Sequence, residues 1–335
     1  MIKKWFFIFF ITFSLLQLTG CTNAANGPQA NHTSSDSSSD TVAATAAFEE
    51  DSFKQEAAAL EEGLQPAQNY VIHPEASGTL TEANDYACVD YSNTKDGYVM
   101  VQYTASSDKK LKSQIVGPTT TYTYNLTPQQ WEVFPLSDGN GEYQINIFEN
   151  IEGTRYLQIL SSDISVTLED EFAPFIRPNQ YVNYENAENT IKTAASLTGS
   201  TTDALEKVTL IYDYVINNIS YDTEKAQIVK SGYLPDLDSV LAAKKGICFD
   251  YASLMAGMLR SQGVPCKLIV GYAGTVYHAW LSVWSEETGW IDGVVFFNGI
   301  SWQRMDPTYA ATDQMGTSTQ EFIENNDNYT SKYIY

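Results

Sequence analysis

At 335 residues, 43% of them hydrophobic and with 22 Tyr, 15 Phe and 6 Trp, the chain can build two ordinary domains plus tails and is not a disordered one. A formal net charge of −22 opposes nucleic acid and anionic membrane surfaces by Coulomb repulsion, so no nucleic-acid partner is expected. A solvated acidic surface is the plainest reading of that charge, with cationic peptides or divalent ions the partners it would favour.

Residues 1–20 read as a signal peptide. In "MIKKWFFIFFITFSLLQLTGC" a basic start (Lys3, Lys4) precedes an apolar run from Trp5 to Leu16, too short for a comfortable bilayer span. The Leu18-Thr19-Gly20-Cys21 ending resembles the bacterial lipobox, which implies lipidation of Cys21 as the first mature residue. Each buried CH₂ of an acyl chain contributes about 0.8 kcal/mol, so the expectation is a lipoprotein, lipid-anchored to the bacterial cell membrane on its extracytoplasmic side. With Cys21 given to lipid, Cys88, Cys248 and Cys266 remain, an odd number that leaves at least one free thiol.

Residues 21–66 read as a tether. The stretch from Thr22 to about Ala47 is small, polar and without period, and an acidic, helix-like piece, "FEEDSFKQEAAALEEGLQP", ends near Gly63 and Pro66. Over 67–178 the pattern changes to short runs rich in Val, Ile, Thr and Tyr: "GYVMVQYTA", "LKSQIVG", "TYTYNL", "WEVFPL", "YQINIF" and "RYLQILSSDISVTL". Turn signals at Asp96-Gly97 and Asn140-Gly141 punctuate them, the second read as a hairpin. Spacing of this kind predicts an all-β, sandwich-like domain.

Residues 179–335 read as helices followed by strands. "DALEKVTLIYDYVINNI" puts Leu205, Val208, Val215 and Ile219 on one helix face, with Asp203 placed as its cap. "DSVLAAKK" predicts a second short helix. A third starts at Cys248 and carries Tyr251, Met255, Met258 and Leu259 at helical spacing until Gly263 and Pro265 stop it; the methionines read as core filling. "CKLIVGY", "VYHAWLSVW", "VVFF" and "ISWQRMD" then predict strands of one antiparallel sheet. The fold class is α+β, helices packed on a sheet after an all-β domain.

Chemistry concentrates at Cys248. A thiol reacts as thiolate, and at an ordinary value of about 8.5 only a few per cent is ionised at neutral pH. The helix N-terminus supplies about 0.3–1 kcal/mol toward the anion, less than one pKa unit, so a cationic neighbour is also required. Of three histidines, His32 lies in the tether and His73 ahead of the β-domain, leaving His278 in "YHAW" as the base that pairs with the thiolate and returns a proton to a leaving amine. A third group should orient the imidazole; Asp306 in "WQRMDPT" fits, with Asp292 in "GWIDG" its rival.

At these residues the sequence resembles the transglutaminase-like superfamily: Gly-x-Cys at a helix start in "GICFDYA", His-Ala-Trp in "YHAW", Asp-Pro-Thr in "MDPT", together with "RSQGVPCKLIVGY" and "ISYD". The resemblance covers about Ala204 to Ala310. It implies a papain-like cysteine fold with Cys248 as nucleophile, His278 as base and Asp306, rather than Asp292, as orienting acid. One departure is Cys266, where many relatives have Ala; it and Cys88 read as structural thiols. The Cys248 backbone N–H is expected in the oxyanion hole, with the Tyr221 hydroxyl a candidate second donor, and Trp280 reads either as packing beneath the site or as touching substrate.

These readings predict a surface-anchored cysteine enzyme that cleaves or transfers amide or acyl groups of peptides or proteins through a thioester, as peptidase, amidase or transglutaminase. Protein or peptide substrates, among them cell-wall peptides, are the expected partners. No metal-ligand spacing, phosphate loop or dinucleotide fingerprint occurs, so no cofactor and no metal are expected. The alternative is an inactive binding or scaffolding lipoprotein of the cell envelope.

Overall fold

The computed structural model describes residues 70–286, 289–292, 294–297, 302–305, 308 and 325–335; Cys21, the tether and Asp306 lie outside the described residues. The architecture is α+β. Strands β1 (Thr81–Ala83), β2 (Ala87–Asp90), β3 (Tyr98–Tyr103), β4 (Leu111–Val116), β5 (Thr121–Leu126), β6 (Trp131–Pro135), β7 (Gly141–Glu152) and β8 (Arg155–Val166) come first. They pair antiparallel in two four-stranded sheets, ordered β1-β2-β3-β6 and β5-β4-β7-β8. Alternation explains the arrangement: Val99 and Val101, Leu111 and Ile115, Tyr122 and Tyr124, and Tyr143, Ile145 and Ile147 are all buried, while their neighbours along β4 and β5 are more exposed. The Asn140-Gly141 signal does not make a hairpin. It carries the chain from β6 in one sheet to β7 in the other.

The rest begins with helices α1 (Glu188–Thr198) and α2 (Ala204–Asn218), then β9 (Ser220–Tyr221), α3 (Thr223–Ile228), α4 (Leu237–Ala243), β10 (Lys245–Gly246) and α5 (Cys248–Ser261). Strands β11 (Cys266–Ala273), β12 (Val276–Ser285), β13 (Gly289–Asp292), β14 (Val294–Phe297), β15 (Trp302–Met305) and β16 (Tyr329–Ile334) follow. A four-stranded antiparallel sheet has the order β13-β12-β11-β16, whereas β14 and β15 pair with each other as a separate hairpin, so the expected single sheet is divided.

Helix α5 is the central element. Tyr251, Ala252, Leu254, Met255, Met258 and Leu259 are fully buried, packed against α1, α2 and α4 on one side and β11 and β12 on the other. A helix buried on every face belongs inside a core. Its end is fixed by Arg260, a fully buried guanidinium that donates to Cys266 O at 2.8 and 3.2 Å, Tyr335 O at 2.7 Å and Arg177 O at 2.8 Å. The apolar core is continuous with that of the β-sheets. Tyr124 of β5 packs on Tyr181 (5.8 Å between ring centroids) and Tyr335 (6.0 Å), and Tyr181 in turn on Phe249 of α5 (5.5 Å).

Candidate active site

The start of α5 is pinned from both directions. Upstream, β9 and β10 run parallel, with Ser220 N–H donating to Lys244 O at 2.9 Å and Asp222 N–H to Gly246 O at 2.8 Å. That ladder sets Tyr221 opposite Gly246, two residues before Cys248. Lys244 closes α4 in the left-handed conformation, with φ 51°. Downstream, Asp250 turns back: its Oδ2 accepts Ile247 N–H at 2.8 Å, so one of the helix's unpaired donors is satisfied by its own first turn. Cys248 therefore stands half-buried at the first helical position, where free N–H groups and the helix dipole favour an anion.

Asp250 is the most heavily bonded group beside the cysteine, and its role was not anticipated. The carboxylate is fully buried, accepts Lys225 Nζ on Oδ2 at 2.6 Å and the Tyr233 hydroxyl on Oδ1 at 2.6 Å, and Lys225 also donates to the Tyr233 oxygen at 2.6 Å. The available signal was an acidic residue at the third position of a helix opening on Gly-x-Cys, half of a capping box. Nothing local pointed to Lys225 or Tyr233.

His278 lies in β12 opposite Gly271 of β11. It is 5% exposed, and its ring stacks toward Trp280, 6.3 Å between centroids with the planes 21° apart. Trp280, also buried, meets Tyr329 of β16 edge-on at 5.3 Å. A side chain at Gly271 would collide with the Thr330 carbonyl, which shows how tightly β16 closes on this part of the sheet.

Burial chiefly raises the Tyr277 hydroxyl, and the neighbouring Tyr333, Tyr272 and Cys248 groups add to it. Strand alternation turns Tyr277 and His278 to opposite faces, the first 55% exposed and the second buried. Asp292 closes β13, its backbone paired with Ser282 of β12.

The other thiols and histidine separate cleanly from this site. Cys266 is fully buried at the start of β11, its Sγ directed at Ala256 O at 3.7 Å, and burial pushes its thiol up. Cys88 sits half-buried in β2, also pushed up by burial and then by Asp90. His73 pairs with Glu185 at 2.8 Å. Among the described residues, no three or more His, Cys, Asp or Glu gather in a way that could hold a metal ion, and no helix is long and apolar enough to cross a membrane.

Comparison with known proteins locates the resemblance on this same segment. The family model described as "Transglutaminase-like superfamily" matches residues 191–307. An uncharacterized protein, YebA of Bacillus subtilis, is 28% identical over 117 residues, 29% of this chain and 16% of that protein. A protein-glutamine gamma-glutamyltransferase of Pseudomonas aeruginosa is 29% identical over 86 residues, 22% of this chain and 11% of that protein. The chain thus spans only a small part of these relatives' own lengths. Among solved structures, the periplasmic domain of TgpA from Pseudomonas aeruginosa aligns with a TM-score of 0.33 at 16% identity, covering 76% of this chain and 81% of that one. Red sea bream transglutaminase aligns with a TM-score of 0.28 at 13% identity, covering 65% and 48%.

Proposed function

We propose, from the membership of residues 191–307 in the transglutaminase-like superfamily, that the protein is a cysteine enzyme acting on amide groups of peptides or proteins, with Cys248 as nucleophile, His278 as base and Asp306 as the acid that orients the imidazole. The observation that carries the reading is the setting of Cys248: the first residue of a buried helix, half-accessible, its turn capped by Asp250, on a helix that packs against β12, the strand that bears His278.

In the proposed reaction the Cys248 thiolate attacks the amide carbonyl carbon. The oxygen gains the negative charge, met by the Cys248 backbone N–H and, as second donor, the Tyr221 hydroxyl. The C–N bond then breaks as His278 gives a proton to the nitrogen, releasing an amine, or ammonia from a carboxamide side chain. The acyl group remains on Sγ as a thioester. Water or a second amine attacks that carbonyl, loses its proton to His278 and expels the thiolate. The triad is common to both outcomes, and exclusion of water from the site decides between hydrolysis and transfer. Location at an extracytoplasmic membrane face through lipid on Cys21 makes wall peptides and surface proteins the substrates in reach.

The deciding experiment is mass spectrometry of the enzyme and its products after incubation with casein or wall peptides, with and without a primary amine. A thioester on Cys248 and loss of it in Cys248→Ala support the reading. Amine incorporation assigns transfer, cleaved or deamidated product assigns hydrolysis, and no adduct or product in any arm refutes the enzyme reading. Labelling with a radioactive fatty acid, lost in Cys21→Ala, tests the anchor.

A further inference from the structure

We infer that Asp250, Lys225 and Tyr233 form a positioning device for Cys248, a charge-balanced clamp that holds the first turn of α5 and cancels a carboxylate's field at the adjacent thiol. The inference rests on the reading of Cys248 as nucleophile.

Both oxygens of the buried carboxylate are engaged, Oδ2 by Ile247 N–H and Lys225 Nζ, Oδ1 by the Tyr233 hydroxyl, and Lys225 closes the triangle on the Tyr233 oxygen. The Lys225 ammonium also lies 4.3 Å from the Tyr233 ring centroid. Burial of a lone carboxylate is strongly unfavourable, and such a group persists only when paired and hydrogen-bonded. The triangle joins three separate segments: Lys225 comes from α3, Tyr233 from the loop after it, and Asp250 from the helix turn that presents Cys248. Burial and the Asp250 bond raise the Tyr233 hydroxyl, so it remains a donor wherever the thiol titrates.

A carboxylate in the first turn steadies the helix, but a negative charge two residues from the nucleophile disfavours a second one, the thiolate. The Lys225 ammonium removes that conflict while leaving the cap in place. Among the described residues, the other titratable groups on the adjoining segments are Tyr277 and His278 on β12, Tyr221 on β9, and the Asp222–Lys245 pair at 3.3 Å beside the β9–β10 ladder. The variants below leave these side chains unaltered.

The test is the pH profile of iodoacetamide alkylation at Cys248 in the full chain, read by peptide mass spectrometry, with circular dichroism to confirm folding. Lys225→Met should move the half-maximal pH up by about one unit and Asp250→Asn down by about as much. The double variant should return close to the unsubstituted protein, and Lys225→Arg should keep its profile. Lys225→Met exposes a buried carboxylate to loss of its partner, so Lys225→Gln is made alongside it and carries the same expected direction. A merely structural role would move both single variants the same way through a loosened helix start. Shifts of the same sign, or no shift in either, would overturn the clamp. Alkylation needs no substrate, so this result is independent of thioester formation: opposite shifts without any thioester would leave the clamp standing and remove the enzyme reading, and a thioester without opposite shifts would do the reverse.

Discussion

A β-carbon added to Gly246 would stand 2.7 Å from the β-carbon of Asp250, closer than real β-carbons approach any neighbour. The glycine two residues before Cys248 is therefore required by the side chain two residues after it, because the chain folds back over its own cap. Gly246→Ala should push Asp250 off the Ile247 N–H and lower stability by about 1–3 kcal/mol, the usual cost of overpacking. Urea unfolding followed by tryptophan fluorescence checks the stability, and the rate of Cys248 alkylation at neutral pH should change with it.

Arg260 is the strongest single tie between the end of α5 and its surroundings. Arg260→Met should cost roughly 3 kcal/mol or more, since the carbonyls of Cys266, Tyr335 and Arg177 lose a buried donor. Lysine should not rescue it, because a single ammonium cannot reproduce the planar fork. A urea midpoint for Arg260→Lys equal to that of the unsubstituted protein would contradict this account.

Glu149 introduces a pH dependence in the β-sheets. Its carboxylate accepts Lys109 Nζ at 2.5 Å, the Tyr103 hydroxyl at 2.6 Å and the Ser107 hydroxyl at 3.1 Å, and Lys109 first, then Tyr103, hold it below the ordinary carboxylate range. Tyr103 is pushed up to about 12, mainly by burial and then by this bond, so it stays a donor. A carboxylate depressed on folding stabilises the native state above its unfolded value, about 4.3, and that contribution disappears as pH falls through the lower folded value. The difference in urea midpoint between the protein and Glu149→Gln should be present near neutral pH and shrink in acid.

The three described thiols should differ in reactivity. Brief iodoacetamide treatment of the native protein at neutral pH should label Cys248 ahead of Cys88 and leave Cys266 unlabelled until denaturant is added. Peptide mapping reads the order directly, and labelling of Cys266 in the native state would contradict its burial.

Local periodicity made several elements legible. Asp203 caps its helix by accepting Glu206 N–H at 2.7 Å, and Met255 and Met258 are buried as their helical spacing indicates. What escaped depends on distant partners. Helix α1 begins without a cap of its own, and Asp238 supplies one from α4, accepting Asn189 N–H at 3.1 Å and Thr190 N–H at 2.8 Å. Asn140-Gly141 announces a turn but carries no information on which sheet receives the chain next. At the site, Cys248 and His278 are chemically distinctive residues in short motifs, and both could be singled out. Lys225 and Tyr233 are ordinary surface types whose meaning appears only when Asp250 is seen buried between them.

Strand β16 pairs with β11 and delivers Tyr333 and Tyr335 onto Tyr122, a residue of β5. The sheet bearing His278 thus gains its outer neighbour from a part of the chain synthesised after Cys248. During translation the Cys248 segment must wait, unable to complete its surroundings, until β16 has been made. Pairings of such long sequence separation are slow to form, so the nascent chain passes through a stage in which Cys248 exists before the architecture that encloses it.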